Sequence, residues 1–128
     1  MTPSPDDIVA EFCAKWAKPN PDELARFFTE DAVYHNIPMD PVAGRAAIRE
    51  FIAGFTADFD GIDFLVHRQV SDGGADSGIV MNERTDVMRR RDGAELPLPV
   101  MGVFEIVDGK IAAWRDYFDL ATVTDAFN

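Results

Sequence analysis

The chain has 128 residues, a formal net charge of −11 and a pI near 4.4, with 47% hydrophobic and 27% charged residues. Such an acidic surface repels nucleic acid and anionic membranes, and no apolar run approaches the roughly 18 residues of a membrane span. One domain over residues 1–128 with a core of its own is expected. The single cysteine, Cys13, rules out an intrachain disulfide. Its place between Phe12 and Trp16 reads as core packing, and no residues have the spacing of metal ligands. The acidic, Pro-rich start, Met1 to Asp7, is unlike a secretory signal, so a cytoplasmic protein is the expectation.

Helical signals come first along the chain. Ser4 is a candidate N-cap with Pro5 at the first helical position, and Ile8, Val9, Phe12, Cys13 and Trp16 repeat at helical spacing. Asn20-Pro21 repeats the start signal for a short helix with Leu24, Phe27 and Phe28. Val33 to Ile37 then reads as a strand, followed by a Pro-rich loop. Gly44-Arg45 opens a third helix with Ile48, Phe51, Ile52 and Phe55 on one face. Strands dominate the second half: 62–70, 78–90, 96–107 and 111–118, with Asp92-Gly93 and Asp108-Gly109 as hairpin turns. Pro97 and Pro99 cannot donate ladder bonds, so their strand should begin at an edge, a bulge or a bend. The run Arg89-Arg90-Arg91 before Asp92-Gly93 reads as a solvated turn. The expected class is α+β: a long, curved, mostly antiparallel sheet with three preceding helices, closing a cone around a small-molecule pocket.

Period-2 parity sorts the charged strand residues. Val80, Asn82, Arg84, Asp86 and Met88 share one face of their strand. On the last strand Ala112, Trp114, Asp116 and Phe118 share one face, and Leu96, Leu98, Val100, Gly102 and Phe104 form an apolar row between them. Tyr34 and Asn36 share a face that His35 does not. Parity leaves two readings open. In one, Arg84, Asp86 and Asp116 point together into the pocket. In the other, Arg84 and Asp86 form a surface ion pair worth at most about 1 kcal/mol, while Asp116 is solvated or paired with Arg115. Arg115, Asp119, His35 and His67 read as structural or surface groups.

"YHN" at 34–36, "GRAAI" at 44–48, "ERTDVM" at 83–88 and "GVFEIVDGKIAAWRDYFDL" at 102–120 resemble the limonene-1,2-epoxide hydrolase family, part of the SnoaL-like and NTF2-like group of α+β cones. The resemblance runs along nearly the whole chain. It implies an epoxide hydrolase that makes a vicinal diol from a small apolar, terpene-like or cyclic epoxide, with water as nucleophile and no covalent intermediate. It further implies that Arg84 is the bridging arginine, Asp86 the general acid and Asp116 the general base, with Tyr34 and Asn36 holding the water. Met88, Leu98, Val100, Trp114 and Phe118 are the expected pocket walls. No cofactor or metal is implied, and a homodimer packed through the outer face of the sheet is. Asn82, where a hydroxyl or apolar residue is expected, and the charged turn at 89–92 depart from the pattern. The competing expectations are a SnoaL-like cyclase or ketosteroid-isomerase-like enzyme, which needs one base and an oxyanion stabiliser, and a non-catalytic NTF2-like ligand-binding module.

Overall fold

A computed structural model describes residues 3–127 of the chain, the side chain of Phe127 excepted. Helix α1 (Pro5–Lys15) starts where the Ser4 hydroxyl accepts the Asp7 N–H at 3.2 Å, and it buries Ile8, Val9, Phe12 and Cys13. Helix α2 (Pro21–Ala25) is capped by Asn20, whose Oδ1 accepts the amides of Asp22 and Glu23 at 3.0 and 3.1 Å. Strand β1 (Phe28–Asn36) and the short β2 (Val42–Ala43) precede α3 (Arg45–Asp58). Then come β3 (Phe59–Gly73), β4 (Ser77–Arg90), β5 (Glu95–Val107), β6 (Lys110–Tyr117) and α4 (Leu120–Phe127). Among the described residues no helix is long and apolar enough to cross a membrane.

The six strands form one sheet in the order β2-β1-β6-β5-β4-β3. Every neighbouring pair is antiparallel except β1 and β6, which run parallel. The long strands curve round α1, and the core fills the concave side. Trp114 on β6 lies at its centre, stacked on Tyr34 at 4.2 Å and on Phe104 at 5.4 Å, with the edge of Phe12 against it at 5.0 Å. Aromatic pairs in these geometries add to area burial, and they set the floor on which the polar groups stand.

Several elements differ from expectation. Phe28 opens β1 instead of continuing α2, so that strand begins five residues before Val33. Helix α4 was not expected; Asp119 caps it, its Oδ1 accepting the Ala121 N–H at 3.0 Å. The register of β5 and β6 shifts between Glu105 and Ile106, and this irregularity turns Ile111, not Ala112, into the core. The arginine run is not a solvated turn. Arg89 and Arg90 belong to β4; Arg89 Nη2 donates to the Ala17 carbonyl at 2.7 Å, and Arg91 Nη2 donates to the Thr56 carbonyl at 2.7 Å. These bonds tie the end of β4 to the segment after α1 and to α3. Pro97 and Pro99 lie in the part of β5 that pairs with β4 alone, since pairing with β6 starts at Met101. That half of the strand is a local edge, where a missing donor costs nothing.

Candidate active site

Cross-strand register builds the site. Asn82 on β4 lies opposite Gly102 on β5, Gly102 opposite Asp116 on β6, and Asp116 opposite Asn36 on β1. One rung across four strands therefore carries three polar side chains and one glycine. The next rung is Val80, Phe104, Trp114 and Tyr34, which is apolar apart from the indole N–H and the phenol. Arg84 and Asp86 follow Asn82 on the same face of β4, because alternate residues of a strand share a side.

The guanidinium of Arg84 ties these groups together. Nε and Nη2 donate to the two oxygens of Asp86, both at 2.9 Å, and Nη2 also donates to Asp116 Oδ2 at 2.8 Å. Nη1 donates to Asn82 Oδ1 at 2.9 Å. Phe64 on β3 covers the guanidinium, its ring centre 4.5 Å from Cζ. To reach Asp116 the group must cross β5, and it does so over Gly102. A Cβ there would run into Arg84 Nη1 and would lie 2.8 Å from Asp116 Oδ1 and 3.0 Å from Asn82 Oδ1. Asp116 takes a further bond from Trp114 Nε1 at 2.7 Å. The Tyr34 hydroxyl donates to Asn36 Oδ1 at 3.2 Å, leaving the amide N–H groups of Asn36 as donors.

All of this is dry. Asn82, Arg84, Asp86 and Asp116 are exposed by only 0%, 1%, 5% and 4%. Burial raises Asp86 above the ordinary carboxylate range, against the hydrogen bonds and charge of Arg84. Burial likewise raises Asp116, helped by the charge of Asp86 and opposed by Arg84 and the Trp114 bond. Desolvation alone would weaken the charge on Arg84, but the two aspartates outweigh it and hold the guanidinium above its usual range. Burial also keeps the Tyr34 phenol neutral and pushes the nearby Cys13 thiol up to about 12. Two ionised carboxylates and one guanidinium would leave a net −1 in an apolar interior. A single proton shared by the pair would neutralise the trio, and two carboxyls bridged in this way are expected to titrate as one coupled unit.

Asp86, Asp116, Tyr34 and Asn36 stand together on one cavity of about 160 Å³. Met88, Leu98, Val100, Trp114 and Phe118 line it, joined by Trp16, Phe51, Phe55, Phe64 and, at the C-terminal end, Leu120 and Val123 of α4. Arg84 lies behind the two aspartates and does not face the cavity. His35 points away, with its Nε2 2.9 Å from the Met39 carbonyl, and His67 Nε2 lies 2.8 Å from Thr85 Oγ1. Arg115 pairs with Glu105 on the other side of the sheet. Sequence reasoning missed Asn82, Gly102 and the donor role of Trp114. The available signal was that Asn82 lies two residues from Arg84 and Trp114 two from Asp116 on the same strand faces, whereas only the register brings Gly102 between them.

The chain matches the family of the limonene-1,2-epoxide hydrolase catalytic domain over residues 3–128. It is 33% identical over 91 residues to epoxide hydrolase EphG of Mycobacterium tuberculosis, a match covering 71% of this chain and 57% of that relative. The chain thus spans little more than half the length of the curated relative it matches. An LEH-like epoxide hydrolase structure from M. tuberculosis superposes with a TM-score of 0.77 at 27% identity, covering 93% of this chain and 85% of the other. A Catenulispora acidiphila protein of ketosteroid isomerase-like fold, in complex with trimethylamine, superposes with a TM-score of 0.79 at 20% identity, covering 98% and 93%. That second likeness extends to the fold alone. With a family match over nearly its whole length, the chain belongs to the limonene-1,2-epoxide hydrolase catalytic domain family.

Proposed function

We propose that the protein is an epoxide hydrolase that adds water to a small apolar epoxide, terpene-like or cyclic, and releases a vicinal diol. The observation that carries this reading is one guanidinium bridging two buried carboxylates at the polar end of an otherwise aromatic and aliphatic cavity. Epoxide opening needs a base for water and an acid for the departing oxygen in the same step, and that pair supplies both. A carbon-acid isomerase or cyclase needs one base and an oxyanion stabiliser instead. A ligand-binding module needs no converging carboxylates.

In the proposed step a water sits between Asp116, Asn36 and Tyr34. Its oxygen bonds to an epoxide carbon while a proton passes from it to Asp116. The carbon–oxygen bond of the ring breaks, and the oxygen takes the proton of Asp86. Asp86 ends ionised and Asp116 protonated, so the trio stays neutral throughout. One proton then returns to Asp86 and the site is reset. Arg84 does not cause the proton on Asp86, since it favours ionised partners; its task is to fix the spacing of the two carboxyls and to compensate whichever one is charged. Holding water and epoxide in line accounts for several kcal/mol of barrier, and each acid or base contributes about 10²–10⁴-fold.

A cavity of this size suits a ligand of roughly 11–16 heavy atoms, at about one water-sized probe volume of 10–15 Å³ each. Its walls offer no charge to a substrate beyond the two aspartates. As partner we propose a second copy of the chain, through the outer face of the sheet. Single turnover in heavy-oxygen water tests the chemistry. The expected result is label in the diol at the first turnover. Unlabelled diol at first turnover means that an enzyme carboxylate attacked, and rejects the water mechanism.

A further inference from the structure

Asn82 takes no part in the reaction set out above, yet it is fully buried. Its two amide atoms face opposite ways. Oδ1 accepts from Arg84 Nη1 at 2.9 Å, while Nδ2 donates to Gln69 Oε1 at 3.2 Å and lies 3.9 Å from Cys13 Sγ. Gln69 sits opposite Asn82 on β3. Its own Nε2 donates to Asp6 at the start of α1, to the backbone carbonyl at 3.2 Å and to Oδ1 at 3.1 Å. Ser71 Oγ donates to the other oxygen of Asp6 at 2.6 Å.

Both ends of this chain of bonds are chemically one-sided. Asp6 presents Gln69 with acceptors only, and a guanidinium presents Asn82 with donors only. Two amides strung between them have one orientation that satisfies every atom: both NH₂ groups toward Asp6, both oxygens toward Arg84. The rotamers of Gln69 and Asn82 are thereby fixed from the surface inward. We propose that Gln69 and Asn82 form a positioning relay that anchors the guanidinium of Arg84 to the start of α1 and keeps Nη2 between Asp86 and Asp116.

The proposed reaction gives such an anchor a purpose, and the inference rests on that reading. Negative charge passes from Asp116 to Asp86 in the step. A guanidinium held by those two groups alone would be drawn after the charge and would tighten on one carboxyl at the expense of the other. Asn82 is neutral and indifferent to the position of the proton. It holds Nη1 from the third side, and Gly102 beneath leaves the plane room to lie flat across β5.

The test compares Gln69→Leu, Gln69→Glu, Gln69→Glu/Asp6→Asn, Asn82→Leu and the Asn82→Leu/Gln69→Leu double variant on an epoxide that the wild-type protein opens. Gln69 is half-buried and does not line the pocket. Gln69→Leu, which removes the acceptor facing Asn82, is expected to lower kcat about tenfold with KM unchanged. Gln69→Glu keeps an acceptor for Asn82 but loses both donors to Asp6 and sets a carboxylate against it, so it should lower kcat about as much. Adding Asp6→Asn supplies the missing donor and should return kcat to within about twofold of wild type. Asn82→Leu should lose more, and the double variant no more than Asn82→Leu, because Gln69 acts only through Asn82. Wild-type kcat in Gln69→Leu or Gln69→Glu, no recovery when Asp6→Asn is added to Gln69→Glu, or multiplying losses in the Asn82→Leu/Gln69→Leu variant overturn the relay. Should Asn82→Leu not fold, Gln69→Leu against Gln69→Glu/Asp6→Asn decides.

A readout without turnover separates this inference from the acid–base reading. In nitrogen-15-labelled protein the Arg84 guanidinium N–H signals should be resolved in wild type and in Gln69→Glu/Asp6→Asn and averaged in Gln69→Leu. Signals equally sharp in Gln69→Leu, or already averaged in wild type, overturn the relay. A wild type that opens no epoxide defeats the reaction instead and leaves this comparison standing.

Discussion

Asp86 and Asp116 are held at a cost to the folded chain, and that cost is measurable. An unfolded aspartate titrates near 4, and burial raises both groups above it in the fold. Between the unfolded and folded values the native state binds more protons than the unfolded one, so stability falls as pH rises through that window. The penalty is full above the folded pKa and absent below the unfolded one. Asp86→Asn and Asp116→Asn each remove one charge from the trio. Each is expected to cut kcat by about 10²–10⁴-fold while folding normally. Each should also lose less stability than wild type as pH rises above the unfolded aspartate value, read as the change in urea midpoint. Substantial turnover in either variant overturns the role assignment, and a pH slope equal to that of wild type overturns the buried shared proton.

Strands and their register decide which of these residues meet. Gly102 shows this most directly, because its contribution is space for a side chain from the next strand. Gly102→Ala puts a methyl into the guanidinium of Arg84 between Asp116 and Asn82. The expected outcome is a loss of about 1–3 kcal/mol in stability and about 10²-fold in kcat; kcat at the wild-type level would mean that Arg84 need not cross β5. The helix starts at Ser4-Pro5 and Asn20-Pro21 were legible because capping chemistry is local, and the two Asp-Gly hairpins were legible for the same reason. Helix α4 was not, since "LATVTDAF" is rich in β-branched residues of low helix propensity; its Asp119 cap and the packing of Leu120 and Val123 into the cavity support it. The parallel pairing of β1 with β6 and the early start of β1 depend on contacts far apart in the chain, which periodicity does not encode. Parity put Arg84 and Asp86 on one face but left open whether that face was wet or dry. The resemblance favoured a reading that strand geometry alone could not choose. Gly102 stayed hidden because it makes room for a side chain from another strand, and Asn82 because its second partner, Gln69, lies on β3, whereas the Trp114 bond to Asp116 two residues along β6 was within reach of parity.

At the scale of the whole molecule the two faces of the sheet have different tasks. The concave face is spent on the cavity, whose polar groups all come from this one chain. The outer face leaves Val70, Ile79, Met81, Met101, Val107 and Tyr117 exposed on four adjacent strands, interspersed with the ion pairs Arg68–Glu83 and Arg115–Glu105. A second copy laid on this face by two-fold symmetry would bury these apolar side chains. Each copy brings a net charge of −11, however, so the apolar contact must overcome repulsion that salt screens. Association through this face should therefore strengthen as ionic strength rises, the reverse of a dimer held by ion pairs. Sedimentation of the wild-type chain is expected to give twice the 14.2 kDa chain mass, and Met81→Lys/Met101→Lys the single mass. Turnover per chain should be equal in the two, because neither methionine lines the cavity. A dimer that survives the double substitution, or one that salt dissociates, would place the interface elsewhere.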